Sequence, residues 1–329
     1  MKRIGYLMGK IAEPENLRLA FWKARRGKPY SEKVEVYRLE LDKNLLKLRA
    51  QLLSGKVDVG NYHYFKIYDP KEREICASGF EERVLHHALM NICHPYFDKF
   101  LIGDSYASRP GKGVHAGITK AKKYTKTGRW FLKLDVKKFF ASVHHDVLKE
   151  QLARRFKDPQ LLSIFDQIID SYENEPNRGL PIGNLASQYF ANHYLGELDH
   201  FIKEKLKCKY YVRYMDDMVI WTYDKGKLKQ IRQDIDGFIQ TKLKCQLKPI
   251  LLNTVERGVP FCGYIIRPNY IRLSQRSKQR YIKKMNILQE KYDKGEWTPK
   301  ECQQKALPLI SFTQSAETKA FRQKVLLKI

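Results

Sequence analysis

The sequence predicts an α+β fold in which an antiparallel sheet carries the chemistry and helices precede and follow it. Three observations predict this. Apolar residues recur at helical spacing before and after a middle segment. Short runs of strand character stand at 62–68, 130–134 and 210–221. The last run folds back on itself at Met215-Asp216-Asp217, a hairpin signature.

Residues 14–55 read as helical, with Leu17, Ala20, Phe21 and Ala24 on one face and Leu41, Leu45, Leu46, Leu48 and Leu52 following at the same spacing. Tyr62, Tyr64, Phe65 and Ile67 mark a strand, and 71–75 a turn with its return strand. Val84, Leu85, Ala88, Leu89 and Ile92 form one face of a helix over 81–97. Residues 105–116 read as loop, followed by a basic stretch through Lys120, Lys122, Lys123, Lys126 and Arg129. The segment 130–134 reads as a buried strand ending at Asp135. The loop 180–184 opens a long helix whose face is Leu185, Tyr189, Ala191, Tyr194, Leu195, Leu198 and Ile202. After Pro268 the chain turns cationic, with Arg272, Arg276, Lys278, Arg280, Lys283 and Lys284 preceding Glu290. Beneath them Tyr281, Met285, Leu288 and Tyr292 form the core stripe of a helix.

The chain has 329 residues, of which 43 % are hydrophobic, so a sizeable core is available and a disordered tail protein is excluded. Lysine and arginine number 62 against 36 acids, a formal net charge of +26, which points to a polyanionic partner and away from small cationic substrates. Twenty Tyr, 16 Phe and 4 Trp leave rings for base stacking beyond the core's needs. The six cysteines have no CxxC spacing, so reduced buried thiols are expected rather than zinc or disulfides. No apolar run approaches the ~18 residues of a membrane span, and Gly5, Gly9 and Lys10 interrupt any leader-like segment. No repeat, low-complexity stretch or Gly/Ser linker divides the chain. The expectation is a cytoplasmic nucleic-acid protein without a membrane partner.

Asp135 at a strand end, followed by Phe139-Phe140, and Tyr214-Met215-Asp216-Asp217 at a hairpin tip carry the sharpest signal. Aspartate favours turns, so a lone Tyr-x-Asp-Asp is weak. Phosphoryl transfer, however, needs positioning and cancellation of charge more than covalent help. Two Mg²⁺ ions clamping the attacking and leaving oxygens do this, and Mg²⁺ takes carboxylate oxygens plus substrate phosphates. Asp135 from one strand and Asp216 from a neighbouring hairpin would supply the site, with Asp217 close by.

In order and spacing, Asp135 with Phe139-Phe140, Ile182-Gly183 with Ser187-Gln188, and Tyr214-Met215-Asp216-Asp217 resemble motifs A, B and C of reverse transcriptases. The run Ile182-Gly183-Asn184-Leu185-Ala186-Ser187-Gln188 is similar to the form found in reverse transcriptases of diversity-generating retroelements. Glu15-Asn16-Leu17 to Ala20-Phe21, Tyr68-Asp69-Pro70-Lys71 with Arg73, and Ser105-Tyr106-Ala107 with 109–113 extend the likeness.

The resemblance implies a right-hand polymerase fold: fingers over 1–128, a palm over 129–265 with part of 145–180 returning toward the fingers, and a short helical thumb over 266–329. It implies Asp135, Asp216 and Asp217 as catalytic carboxylates and, with Val136, as ligands of two Mg²⁺, Mn²⁺ being a substitute. Lys71, Arg73, Phe139, Phe140, Ile182, Gly183 and Gln188 would bind the deoxynucleotide. Phe140, five residues after Asp135, would be the steric gate against a 2′-hydroxyl. Arg73 would grip the triphosphate with Lys71. Lys248 would be the motif D lysine near the leaving pyrophosphate, a general acid.

Arg109, Lys112, Tyr214, Met215, Phe261, Cys262, Gly263, Arg276 and Arg280 would contact primer and template, with the turn at Phe261-Cys262-Gly263-Tyr264 as the primer grip. Ile182 would set fidelity: an amide side chain is usual there, and isoleucine neither donates nor accepts a hydrogen bond. In the resembled subfamily this accompanies errors opposite template adenines. The implied partners are a template-repeat and spacer RNA, the RNA–cDNA duplex, dNTPs and a small, basic, oligomeric accessory variability protein.

Other readings stand beside this one. The chain resembles, less closely, group II intron and retron reverse transcriptases of ordinary fidelity; against them stand Ile182 with Gln188 and a short chain ending without maturase or endonuclease segments. A catalytically silent RNA-binding module is the rival of another class. His86, His87 and His94 read as ordinary helix residues, and His144-His145-Asp146 as a helix cap. The tail at Ser311 to Ala316 departs from the family pattern, and no role is assigned beyond Leu307.

Overall fold

The structure, a computed structural model, describes residues 3–27, 31–68 and 72–326. The predicted helical stretch 14–55 is three helices, Pro14–Arg25, Glu32–Leu39 and Leu41–Ser54. They bury Leu17, Ala20, Phe21 and Ala24, then Val34 and Tyr37, then Leu45, Leu48 and Leu52. Leu46, expected inward, is 66 % exposed because it lies off the stripe its neighbours make. Strands β1 (Tyr62–Tyr68) and β2 (Glu72–Ser78) pair antiparallel from Tyr62↔Ser78 to Tyr68↔Glu72. The long helix Phe80–Phe100 then runs through the core, burying Val84, Leu85, Ala88, Leu89, Cys93 and Phe97.

The basic stretch after the 105–113 loop is a helix, Val114–Thr127, with Ile118, Ala121 and Tyr124 inward. Its lysines hide that period from a charge-based reading. Strand β3 (Trp130–Leu134) lies inside a four-stranded antiparallel sheet ordered β4-β5-β3-β6, where β4 is Tyr210–Tyr214, β5 Asp217–Thr222 and β6 Leu251–Thr254. Its two faces pack differently. Leu132, Leu134, Met218 and Ile220 join the main core, while Phe131, Val219 and Trp221 join a second cluster with Ile118, Phe261 and Tyr264. Strands β7 (Val259–Phe261), β8 (Tyr264–Ile266) and β9 (Ile271–Leu273) form a small antiparallel sheet beside it.

The predicted long helix after 184 is Leu185–Tyr194 and Gly196–His200, continued by one π-helical turn, Phe201–Lys205. Helices His145–Arg155 and Pro159–Asp170 lead back toward the N-terminal helices, where Gln167 Nε2 donates to the Gly55 carbonyl at 2.7 Å. The C-terminal helices are Gln275–Asp293, Pro299–Gln314 and Lys319–Leu326. Tyr281, Met285 and Leu288 are buried with Val325, as expected of the stripe, but Tyr292 is 46 % exposed. Among the described residues no helix is long and apolar enough to cross a membrane.

Candidate active site

Past β3 the backbone is pinned to the segment before β6. Lys248 N–H donates to the Asp135 carbonyl at 2.8 Å, and Lys137 N–H to the Gln246 carbonyl at 2.8 Å. This brings the Lys248 ammonium onto the Asp135 carboxylate at 2.6 Å. Lys248 therefore stands beside Asp135.

The β4–β5 hairpin turns in two residues, Met215 and Asp216, with Met215 at φ 51°. A non-glycine residue there needs support from its surroundings. Arg213 supplies it from behind. This fully buried guanidinium donates to both oxygens of buried Asp199 (2.6–2.9 Å), to Asn192 Oδ1 at 2.7 Å, and to the Met215 carbonyl at 3.3 Å. The hairpin tip thus rests on a buried, paired charge.

Asp216 meets Asp135. Burial, and then the neighbouring Asp135 charge, raise its carboxyl above the ordinary range. Two half-buried carboxylates in contact, one cation already beside them, form an all-oxygen donor set of the kind that hard divalent cations take. Asp135 and Asp216 fit Mg²⁺ on that ground. Val136 has an all-hydrocarbon side chain, buried in the core, and would reach a metal only through its backbone carbonyl.

Asp217 departs from the expected cluster. One oxygen takes the Lys133 ammonium and the other accepts the Cys262 N–H at 3.0 Å. Among the described residues no group of three His, Cys, Asp or Glu side chains converges as a metal site. Lys133, two residues before Asp135, shares its face of β3; burial pulls its ammonium down to about 8, against the pull of Asp135. The sequence reading missed Lys133, though a lysine inside an apolar strand was its signal.

The nucleotide-side residues divide. The Phe140 ring is half-buried, and its carbonyl accepts from Leu180 N–H at 2.8 Å, beside the 180–184 loop. Phe139 is in the core, 3 % exposed, which corrects its assignment to nucleotide binding. Consecutive residues of a helix point about 100° apart, so Phe139 goes into the core while Phe140 packs only partly against it.

Ile182, half-buried, is joined to β2 by its carbonyl, which accepts the Cys76 N–H at 2.9 Å. Gly183 is at φ 121°, and a Cβ there would lie 2.9 Å from Ile75 Cγ2. Only glycine suits both conditions. Ser78 N–H donates to Asn184 Oδ1 at 3.1 Å, a second tie between β2 and this loop. Gln188 is half-buried on the helix that follows. Arg73 is exposed and alternates with Ile75 onto the face of β2 that meets Gly183. Lys71 lies outside the described residues.

Two predicted nucleic-acid contacts are occupied internally. The Arg109 guanidinium donates to Asp98 Oδ1 at 2.6 Å and to the carbonyls of Ile102 and Ser105 at 2.6 and 3.0 Å, so it braces its own loop. Lys112 donates to the Gly103 carbonyl and lies over the Tyr106 ring. Phe261 is likewise a core ring, 1 % exposed. The turn after it is Cys262-Gly263 with φ 48° and 84°, positive at both central residues as a type I′ hairpin requires. Tyr214 and Met215 are half-buried at the hairpin tip, and Arg276 and Arg280 lie exposed along Gln275–Asp293.

The histidine readings hold in part. His86 is buried and His94 Nδ1 meets Tyr189 Oη at 3.0 Å, both within the helix packing. His144 is the N-cap residue of helix His145–Arg155 but makes no side-chain cap, and Asp146 accepts from Asn177 at 2.6 Å.

A four-stranded antiparallel sheet thus presents an aspartate pair at a strand end and a hairpin tip, the architecture of a polymerase palm. Residues 70–266 match the family described as reverse transcriptase (RNA-dependent DNA polymerase), and the chain belongs to that family. It is 22 % identical over 252 residues to Protein YkfC of Escherichia coli (strain K12), covering 61 % of this chain and 66 % of that protein. It is 22 % identical over 273 residues to a putative COX1/OXI3 intron 2 protein of Saccharomyces cerevisiae, covering 63 % of this chain and 31 % of that one. The group II intron-encoded protein LtrA of Lactococcus lactis subsp. cremoris is 25 % identical over 146 residues, 43 % of this chain and 24 % of LtrA. The chain thus spans two-thirds or less of the length of these relatives. Apo telomerase from Candida tropicalis superposes with a TM-score of 0.50 at 13 % identity, covering 65 % of this chain and 55 % of that one. The fold is accordingly the α+β polymerase fold.

Proposed function

We propose that this chain copies RNA into DNA by nucleotidyl transfer at Asp135 and Asp216. The observation that carries the reading is the contact between these two half-buried carboxylates, from different strands of one sheet, in a chain of this family. Asp135 and Asp216 would hold two Mg²⁺, which when bound supply charge cancellation at the attacking and leaving oxygens. Lys248, paired with Asp135, would give a proton toward the leaving pyrophosphate. Arg73 faces the loop of Ile182 and Gly183 and takes the triphosphate; Phe140 crowds the 2′ position of the sugar. The Cys262-Gly263 turn backs the primer, and Arg276 and Arg280 lie along the duplex. In this reading fingers, palm and thumb divide at 1–128, 129–265 and 266–329.

The finer proposal is a diversity-generating enzyme that misincorporates opposite template adenines, for mutagenic transfer of cDNA into a target gene. Ile182 supports it: the side chain offers no hydrogen bond to the nascent base pair, and its backbone is tied to β2. A template-repeat and spacer RNA and a basic accessory protein would be its partners. The names of the intron-encoded relatives favour a second reading, an ordinary-fidelity enzyme of group II intron type. Sequencing cDNA made from a defined RNA template with Mg²⁺ and dNTPs separates the two. Errors concentrated opposite adenine support the first, and an even, low error spectrum the second.

A further inference from the structure

We propose that the end of the four-stranded sheet farthest from Asp135 is a second RNA-binding surface, which holds a folded part of the RNA outside the copied stretch. The inference rests on the nucleotidyl-transfer reading above and concerns the basic stretch that this reading leaves without a role. Strand register fixes the place. Trp130 pairs with Thr222 and Thr254, and Tyr210 with Trp221, so 129–130, 209–210, 222–223 and 254 share one end of the sheet. β3 has five residues, which at about 3.3 Å each puts this end ~17 Å from Asp135. The Cys262-Gly263 turn and the start of Gln275–Asp293 lie at the other end, where Cys262 N–H reaches Asp217 and Ser277 Oγ reaches the Gly263 carbonyl. The duplex assigned to that helix therefore leaves this end of the sheet uncovered.

Three segments bring cations here. Helix Val114–Thr127 ends with Lys126 in its last turn, and Arg129 follows, its N–H donating to the Thr222 carbonyl at 3.1 Å. Lys207 and Lys209 lead into β4, and Lys225 and Lys227 open the helix Lys225–Lys242 after β5. All six are exposed, and among the described residues none is paired with a carboxylate, whereas Lys120 and Lys203 nearby both go to Asp104. The acids at this end are few. Asp224 caps the helix through Gly226 and Lys227 N–H, Glu204 meets His200 Nδ1 at 2.6 Å, and Glu256 stands exposed beside Arg257. Rings stand among the cations: the Lys225 ammonium lies 4.7 Å from the Trp130 centroid, that of Lys209 5.5 Å from Tyr210, and Tyr223 is 66 % exposed. Unpaired cations fanned around an open ring suit a phosphate backbone that also offers an unstacked base, as the loop of a folded RNA does. A plain duplex would bring the phosphates but no free base for Tyr223.

The probe is an RNA stem-loop with a blocked 3′ end, its binding to the full chain read by fluorescence anisotropy after one equivalent of unlabelled short primer–template is bound. The triple variant Arg129→Glu, Lys225→Glu, Lys227→Glu is expected to weaken stem-loop binding about a hundredfold. Its log affinity against log salt should flatten by about two to three, at roughly 0.7–0.9 per lost phosphate contact. KM for the short primer–template, measured by extension with dNTPs, should stay within about twofold. Tyr223→Ala should weaken stem-loop binding about tenfold and leave binding of a loopless RNA duplex unchanged. Arg276→Glu should do the reverse of the triple variant, raising KM with stem-loop binding kept. Thermal melts check folding, and if the triple variant fails to fold, Lys126→Ala with Lys209→Ala should still weaken stem-loop binding about tenfold. Unchanged stem-loop affinity in these variants would overturn the proposal. So would loss of stem-loop binding on adding the primer–template, or a rise in KM that matches the lost affinity. Absence of any synthesis by the unmodified chain would instead overturn the underlying reading, and the stem-loop titration, which needs no dNTPs, would still decide the surface.

Discussion

Cys76 donates its backbone N–H to the carbonyl of Ile182 at 2.9 Å, joining the β1–β2 hairpin to the 180–184 loop. Glycine at 183, with φ 121° and Ile75 against it, lets the two backbones approach. The side chain of Ile182 is therefore held in place by its own main chain and not by polar contacts.

A glutamine at this position would keep that main-chain bond and add an amide at the base pair. Ile182→Gln is expected to lower adenine-templated errors about tenfold with synthesis retained. Sequencing cDNA from the variant and the unmodified chain on one template measures it. An unchanged error spectrum sinks the assignment of Ile182 to fidelity.

Phe140 is the less buried ring of its pair, Phe139 being committed to the core. Phe140→Ala should open the 2′ position and raise ribonucleotide incorporation, relative to deoxynucleotide, by about a hundredfold. Phe139→Ala should instead lower stability by about 3 kcal/mol through an unfilled cavity. Single-nucleotide incorporation with each substrate, and melting curves, distinguish the two rings.

Arg213 and Asp199 form a fully buried ion pair behind the hairpin tip. Arg213→Met strands a buried carboxylate and should cost about 3–5 kcal/mol in denaturant unfolding. The double variant Arg213→Met with Asp199→Leu should cost less than the single one, since no charge is left unpaired. Equal or greater loss in the double variant would contradict this account of the network.

His193 is 2 % exposed among Phe97 and Phe100, and burial, with Arg155 adding to it, lowers its pKa to about 3. The folded state holds it neutral, while the unfolded chain protonates it near its ordinary value of ~6.5. Its contribution to stability is therefore complete above that value and is lost as pH falls from about 6.5 toward 3. Each pH unit in that window should cost up to about 1.4 kcal/mol. His193→Phe should flatten this part of the profile in melts from pH 7 to pH 4.

Much of this was legible in the sequence. Asp135 and Asp216 were visible because one ends an apolar strand and the other tips an apolar hairpin. A strand's period of two also tells which residues share a face. It does not tell which neighbour a carboxylate chooses, so the attachment of Asp217 to Lys133 and Cys262 was hidden. Arg109 in a Gly/Pro loop read as a phosphate contact because its partner, Asp98, sits on a separate helix. Phe139 and Phe140 looked equivalent because adjacency in a short helix does not fix which ring points inward. The helix Val114–Thr127 was masked by its own lysines.

Primer extension on a defined RNA template, with the unmodified chain and Asp216→Asn side by side, tests the central claim most directly. The account predicts Mg²⁺-dependent cDNA from the unmodified chain. From Asp216→Asn it predicts at least a thousandfold less, with RNA binding retained. Equal synthesis by both proteins, or none by either when native RNA and accessory protein are supplied, would contradict it.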